Sequence, residues 1–231
     1  MNTFNNNIEP NNATYITSQD CFNLLTDIQK EELQKNKIAV EFEAGETIIK
    51  KGFKASNIIF LEEGLAKLDI YTDKKRRTVS LVAPKSFIGI ICSFACANFV
   101  FSAVAIERSR VSLIDITLFE KFIQENGNFA ISMIKHMSAM TSDLVHHLSN
   151  NTHKNIEGLL AILLMDFSKI YNSKKYTLPI TRKEMGNILG YSKESVINTL
   201  SKFNKDGIIS VSDKKIEILE LQKLAQIGEL G

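Results

Sequence analysis

Five polar residues at the start of one short helical segment could meet the edges of nucleic-acid bases: Ser192, Lys193, Glu194, Ser195 and Asn198. They face away from Val196, Leu200 and Phe203, the apolar stripe that the segment needs for burial. A Glu carboxylate accepts a hydrogen bond from cytosine N4, and an Asn carboxamide pairs bidentately with adenine. Thr181, Arg182, Ser192, Ser195 and Lys202 are placed to meet phosphates, contacts that orient a protein on a duplex without reading it. Solvation alone would also account for Lys202 and Lys205.

The elements that must hold these groups are legible around them. Thr181-Arg182-Lys183-Glu184 has the form of a capping box, in which hydroxyl and carboxylate satisfy orphan amides at a helix start. Met185, Ile188 and Leu189 supply a buried face, and Gly190 ends the helix in the left-handed conformation that Gly adopts cheaply. Ser192 then caps the second helix, which stops at Asp206-Gly207. Ile208–Val211 and Lys215–Leu219 alternate like strands around Ser212-Asp213-Lys214. Two short helices, a tight turn and a hairpin over residues 179–219 predict a winged helix-turn-helix, whose second helix enters the DNA major groove. A small helical domain with a hairpin and no DNA role is the bland alternative.

Upstream, the pattern is different. Phe22, Leu25, Ile28 and Leu33 predict one or two short amphipathic helices. From Val40 to Ile116, short runs such as Thr47–Ile49, Ile58–Leu61, Leu65–Tyr71, Thr78–Val82, Val100–Ile106 and Val111–Ile114 alternate with turn residues, predicting a closed antiparallel roll. A short helix to Gln124 and a long one over Asn128–Asn150 follow. Phe129, Met133, Met137, Met140, Leu144 and Leu148 recur every three or four residues along it, as on a core stripe or a dimer seam. The seam reading assigns Phe129, Met133, Met137, Met140 and Leu144 to a homodimer interface. Asn150–Thr152 is the expected hinge, and Ile156–Ile170 an apolar helix of the C-terminal core. The fold class is therefore α+β. A mobile tail is expected over residues 1–19, a β-roll over 20–127, a dimerisation helix over 128–150 and the winged helix over 151–231.

Composition sets the outer limits. The 231 residues suit two domains, and 44% hydrophobic with 23% charged residues is ordinary for a folded protein. MNTFNNNIEPNN lacks the basic and apolar regions of a signal peptide, and no apolar run is long enough for a membrane span. Three cysteines do not suggest a disulfide framework, so the cytoplasm is the expected compartment. Residues 151–231 hold 12 Lys/Arg against 9 Asp/Glu, while the remainder is slightly acidic. The basic bias thus lies with the DNA-reading pattern.

The segment RKEMGNILGYSKESVINTLSKF at 182–203 resembles the helix-turn-helix of the Crp–Fnr superfamily of bacterial transcription regulators. EAGETIIKKG at 43–52, IIFLEEGLAKL at 58–68 and FIG at 87–89 resemble that family's cyclic-nucleotide-binding roll, and 128–150 its dimerisation helix. The resemblance implies a homodimer on a two-fold symmetric double-stranded DNA site, contact with RNA polymerase, and no catalysis. Family members often carry Arg-Glu at Lys193 and Glu194 and another Arg at Asn198. This recognition helix has no arginine, so the Arg–guanine pairing is unavailable to it. In the cyclic-AMP-binding members, a Glu holds the ribose and an Arg the phosphate; the matching places here are Ile90 and Phe101. A buried phosphate without its Arg would be costly to desolvate, so nucleotide binding in the usual mode is not expected.

What the roll senses stays open at this point. The effector pocket is expected near Gly89, Ile90, Ile91, Phe101 and Ser102, with Met140 from the long helix. Its greasy stretch, which includes Ile88, Phe94 and Phe99, would hold an apolar effector or be filled by its own side chains. Cys92 and Cys96 are spaced C-x3-C with Cys21 far upstream: too few thiolates for a four-cysteine iron–sulfur cluster, but enough for a thiol redox switch. His136, His146, His147 and His153 lie on or just beyond the long helix. None lies in the roll, which disfavours a cupin-type metal enzyme and leaves His136 as the candidate haem ligand. No resident metal or cofactor is expected.

Overall fold

The computed structural model describes residues 18–72, 75–151 and 154–231; residues 1–17 of the expected tail and Thr152 of the expected hinge lie outside the described residues. Helices α1 (Ser18–Asn23) and α2 (Asp27–Asn36) come first. Strands β1 (Ile38–Phe42), β2 (Thr47–Ile49), β3 (Asn57–Glu63), β4 (Ala66–Thr72), β5 (Lys75–Val82) and β6 (Ser86–Phe87) follow. Helix α3 (Ile90–Ala95) interrupts them before β7 (Ser102–Ala105) and β8 (Ser109–Asp115). Next come α4 (Ile116–Glu125), α5 (Gly127–Asn151) and α6 (Ile156–Ile170). The chain ends with β9 (Lys175–Thr177), α7 (Arg182–Leu189), α8 (Lys193–Lys205), β10 (Ile209–Ser212), β11 (Lys215–Ile218) and α9 (Leu221–Leu230).

Strands β1 to β8 pair into two antiparallel sheets, ordered β1-β8-β3-β6 and β2-β7-β4-β5. Alternation along each strand sends one set of side chains between the sheets. There Ile49, Leu61, Ile88, Phe99, Phe101 and Val111 form a buried core. The outer side of the first sheet is not left to water. Phe60, Phe87, Phe119, Phe122, Phe129 and Met133 pack there with Cys21 and Leu25, so α1, α4 and α5 cover it. Phe87 meets Phe60 and Phe119 edge-on, with ring centroids 5.4 and 5.8 Å apart, the arrangement aromatic quadrupoles prefer. Asp115 starts α4 by accepting the Thr117 amide at 2.8 Å.

This second core changes the expected role of α5. Phe129 is fully buried and Met133 nearly so, both against the protein's own sheet and α4. Met140 packs partly against the same cluster, and Met137 is half-buried. Phe129 and Met133 therefore cannot form the dimer seam assigned to them, because no surface of theirs is left to offer a second chain. The side chain of Leu144 lies outside the described residues. On the opposite face, Ile131 and Ile134 are 54% and 64% exposed. His136, the expected haem candidate, is buried in the same core, edge-on to Phe87 at 5.7 Å.

One polar knot fastens the end of α2 to the sheet. Lys37 donates to Glu62 at 2.7 Å, Ser112 donates to it at 2.6 Å, and Arg110 pairs with it at 2.9 Å. Burial works against the Glu62 carboxylate but is outweighed by the bonds from Lys37 and Ser112 and the charges of Lys37 and Arg110, holding its pKa at about 2. A depressed carboxylate stabilises the fold above its unfolded pKa, and that stability is lost as pH falls through the folded value. Thermal unfolding of the wild type is therefore expected to lose up to about 3 kcal/mol between roughly pH 5 and pH 2 from this group. Glu62→Gln starts less stable and shows a flatter pH profile over that window; an equal slope in both proteins would remove Glu62 as the cause.

Candidate nucleic-acid interface

The C-terminal unit is built around Leu160, Leu164 and Phe167 of α6, which pack with Met185, Val196, Leu200, Phe203 and Ile216. Asn155 starts α6 by accepting the amides of Glu157 and Gly158. At α7, the Thr181 hydroxyl accepts the Glu184 amide at 3.2 Å and the Glu184 carboxylate accepts the Thr181 amide at 2.9 Å, so the capping box is complete. Gly190 closes α7 at φ +78°, a conformation only Gly adopts without strain. Ser192 starts α8 by accepting the Ser195 amide at 3.0 Å. Strands β10 and β11 make the wing, joined to β9 in one antiparallel sheet.

The angle between α7 and α8 depends on Gly186. A Cβ at this position would lie 2.6 Å from the Tyr191 carbonyl oxygen, which belongs to the rigid turn between the helices. Only hydrogen fits there. Asn204 braces the other end of α8 by accepting the Val211 amide of the wing at 2.9 Å.

The eight expected DNA-contacting residues divide into two groups. Lys193, Glu194 and Asn198 are exposed at the start of α8, and no side-chain hydrogen bond from them is formed among the described residues. The other five serve the fold itself. Thr181 and Ser192 cap helices, and Ser195 shares its hydroxyl with Ser192 at 2.9 Å. Lys202 is tied to Glu157 of α6 at 2.6 Å. Arg182 is half-buried, donates to the Asp213 carbonyl of the wing turn at 2.6 Å and lies 3.5 Å from the Met185 sulfur. Burial lowers its pKa, only partly opposed by Asp213. Ile197, Ser201 and Asn204 went unremarked in the sequence, yet with Arg182, Leu200 and Val211 they line a groove of about 240 Å³ between α8 and the wing. Counting three and seven residues on from Glu194 would have found Ile197 and Ser201.

This unit is clamped to the roll. Lys67 of β4 pairs with Glu184 of α7 at 2.7 Å, and Tyr171 donates to Glu107 at 2.5 Å. Leu65, fully buried, belongs to the C-terminal core rather than to the roll's own. Beside Lys67 lies Asp69, fully buried, with Thr78 donating to it at 2.6 Å and Arg76 completing an ion pair.

In the roll, the expected effector-pocket residues do not converge. Gly89 stands at φ +69° with the Phe101 ring pressed against it so closely that a Cβ would collide. Phe101 stacks edge-on with Phe99, 5.8 Å away, in the core between the sheets. Ser102 accepts the Lys51 amide at 3.1 Å. Ile90 and Met140 belong to the helix-side core instead, and Ile91 is exposed. One pocket lined by all six is therefore not what the fold makes, because α3 turns successive side chains to opposite sides of the sheet.

Residues 39–126 match the cyclic nucleotide-binding domain family and residues 159–227 the Crp-like helix-turn-helix domain. The chain belongs to the Crp–Fnr family of DNA-binding transcription regulators. It is 26% identical over 133 residues to the transcriptional regulatory protein btr of Bordetella pertussis, a match covering 55% of each chain. With the transcriptional activator protein anr of Pseudomonas aeruginosa it shares 21% identity over 190 residues, covering 80% of this chain and 78% of the relative. The structure of FixK2 from Bradyrhizobium japonicum superposes with a TM-score of 0.75 at 18% identity, covering 84% of this chain and 98% of that one. That similarity speaks for the fold. Among the described residues, no group of three or more His, Cys, Asp or Glu could hold a metal ion, and no helix is long and apolar enough to cross a membrane.

The Crp–Fnr helix-turn-helix match begins inside α6, so the apolar helix behind the reading head belongs to the DNA-binding unit. Its geometry rests on Gly186. Gly186→Ala is expected to destabilise the protein by about 1–3 kcal/mol through overpacking against backbone. Gly127→Ala, where a Cβ meets nothing within 4 Å, is expected to be neutral or better. Paired thermal melts check this, and equal midpoints would show that the turn relaxes freely.

Proposed function

We propose that the protein acts in the cytoplasm as a homodimer on a two-fold symmetric DNA operator, each α8 reading one half-site. The observation that carries this is the exposed start of α8, where Lys193, Glu194, Ile197 and Asn198 stand together without internal duties. Glu194 would accept from cytosine N4, Asn198 would pair with adenine and Ile197 would meet a thymine methyl. Lys193 and the likewise exposed Lys183 and Lys214 would meet phosphates. The dimer would form through the Ile131 and Ile134 face of α5, the apolar surface that this helix leaves uncovered. The family makes RNA polymerase a further expected partner, and the protein works by binding, not by catalysis.

Selection from a random-site duplex library is expected to return a symmetric site with half-sites about 10 base pairs apart, with binding that weakens as salt rises. Asn198→Arg shifts the preferred base at one position of each half-site toward guanine. Recovery of single half-sites would overturn the dimer, and an unchanged preference would overturn the role of Asn198.

The roll is proposed not to hold a cyclic nucleotide in the family's usual mode. Phe101 stands where the resemblance implies the phosphate-binding Arg, and its ring fills the space over Gly89. Calorimetric titration with cyclic AMP and cyclic GMP is expected to give no binding heat; micromolar affinity for either would refute the proposal.

A further inference from the structure

Two thiols of α3 stand apart from everything assigned so far. Cys92 and Cys96 are four residues apart, and the Cys96 amide donates to the Cys92 carbonyl at 2.9 Å, so the helical turn between them is closed. That geometry sets their Cα atoms about 6 Å apart, inside the range a disulfide spans, and their Cβ atoms about 5–6 Å apart, so closing the bridge requires the last turn of α3 to tighten by about 1 Å. One thiol is buried and the other exposed. The buried Cys92 packs with Phe99, Phe101 and Ile88 between the sheets. The exposed Cys96 borders a cavity of about 470 Å³, lined also by Lys54, Ser56, Asn98, Asp115 and Thr117. A small polar molecule can therefore reach Cys96 and not Cys92. The third cysteine, Cys21, is fully buried, with the Ser132 hydroxyl donating to its sulfur at 3.3 Å.

We propose that Cys96 and Cys92 are a thiol-redox site, in which a hydroperoxide oxidises Cys96 and Cys92 closes a reversible disulfide within α3. In the first step, the Cys96 thiolate attacks one peroxide oxygen. An S–O bond forms, the O–O bond breaks, and the leaving oxygen departs as hydroxide or alkoxide, taking up the Cys96 proton. In the second, the Cys92 sulfur attacks the Cys96 sulfenic sulfur. The S–S bond forms, the S–O bond breaks, and the hydroxyl leaves as water with the Cys92 proton. Two thiols lose two electrons and one hydroperoxide gains them. An exposed thiol beside a resolving one is the arrangement of redox-sensing cysteines. Burial pushes the Cys92 thiol up, and Cys96 beside it adds to the shift, so Cys92 stays protonated and suits the resolving role.

The site is built where a local change would travel. Gly89, on which Phe101 rests, caps the start of α3. Ser93 donates to the Asn57 carbonyl of β3 at 3.1 Å, and the Phe94 ring lies 6.2 Å from Phe119 under α5. Drawing the Cys92 sulfur toward Cys96 removes it from the packing around Phe101.

The inference does not rest on the DNA reading, and its test reads mass. The full-length protein is treated briefly with hydrogen peroxide, alkylated with N-ethylmaleimide and digested with trypsin. Residues 86–108 form one tryptic peptide carrying both thiols. The expected product is this peptide lighter by about 2 Da, unalkylated and restored by dithiothreitol. Cys92→Ser is expected to stop at a Cys96 sulfenic acid trapped by dimedone, and Cys96→Ser to keep Cys92 reduced. Wild-type peptide in which Cys96 proceeds to sulfinic acid while Cys92 is still alkylated would overturn the proposal. So would a peptide in which both thiols stay alkylated under peroxide that oxidises free cysteine.

Discussion

The carboxylate of Glu184 joins the two halves of this molecule. It completes the cap of α7 through the Thr181 amide and pairs with Lys67 across the interdomain boundary. Burial raises the cost of its charge, yet the bonds from Lys67 and Thr181 outweigh that cost and hold its pKa below the ordinary value. Lys67 is itself mostly buried while about a third of Glu184 meets water, so the pair is only partly screened. One group thus fixes the start of the helix-turn-helix and its attitude to the roll. Any motion that lifts α7 from β4 must leave both ions to find water and must disturb the cap.

The rest of the boundary extends the same constraint. Tyr171 reaches Glu107 from behind α6, and burial followed by that carboxylate keeps its phenol protonated well beyond its usual range. Asp69 is buried with Arg76 and Thr78 as its partners, and its bond and charge, with the weaker charge of Glu184, raise the Arg76 guanidinium against the effect of burial. Leu65 is inserted into the C-terminal core with Leu81 and Ile106 packed beside it. Apolar contact around Leu65 holds the head on the roll, and the Lys67–Glu184 ion pair and the Tyr171–Glu107 hydrogen bond give the contact its direction. A recognition helix enters the major groove at a set angle, so the attitude of this unit to the roll bears on DNA binding as α8 does.

The parts readable from sequence are those whose causes are local. Thr181, Glu184, Gly190 and Ser192 specify the helix boundaries within four residues of themselves, and the structure forms each cap they announce. Most long strands of the roll were legible for the same reason. Strand β6 is two residues long, and β9 exists only because β11 lies beside it. Neither has a period of its own to read. Helix α3 was hidden by an apolar run that serves a helix or a strand equally. The stripe on α5 differs: its period allowed a core face or a dimer seam, and for Phe129 and Met133 the fold takes the core. Spacing reports that Phe129 and Met133 are buried, and only the fold decides that the sheet covers them. Arg182 and Lys202 carry the same lesson for charge, since both are held by the protein itself.

The roll was the harder half to read, and its packing shows why. A phosphate-binding site needs open backbone and a cation. Here Gly89 has a left-handed backbone conformation, and the Phe101 ring covers it. A buried ring in that place contributes apolar burial of order 2 kcal/mol to the fold. Filling the site also couples it to new neighbours: Phe101 leans on Phe99, and both pack against Cys92. Gly89 is thus the floor of an aromatic core, and the Cys92 thiol is one of the groups packed into that core.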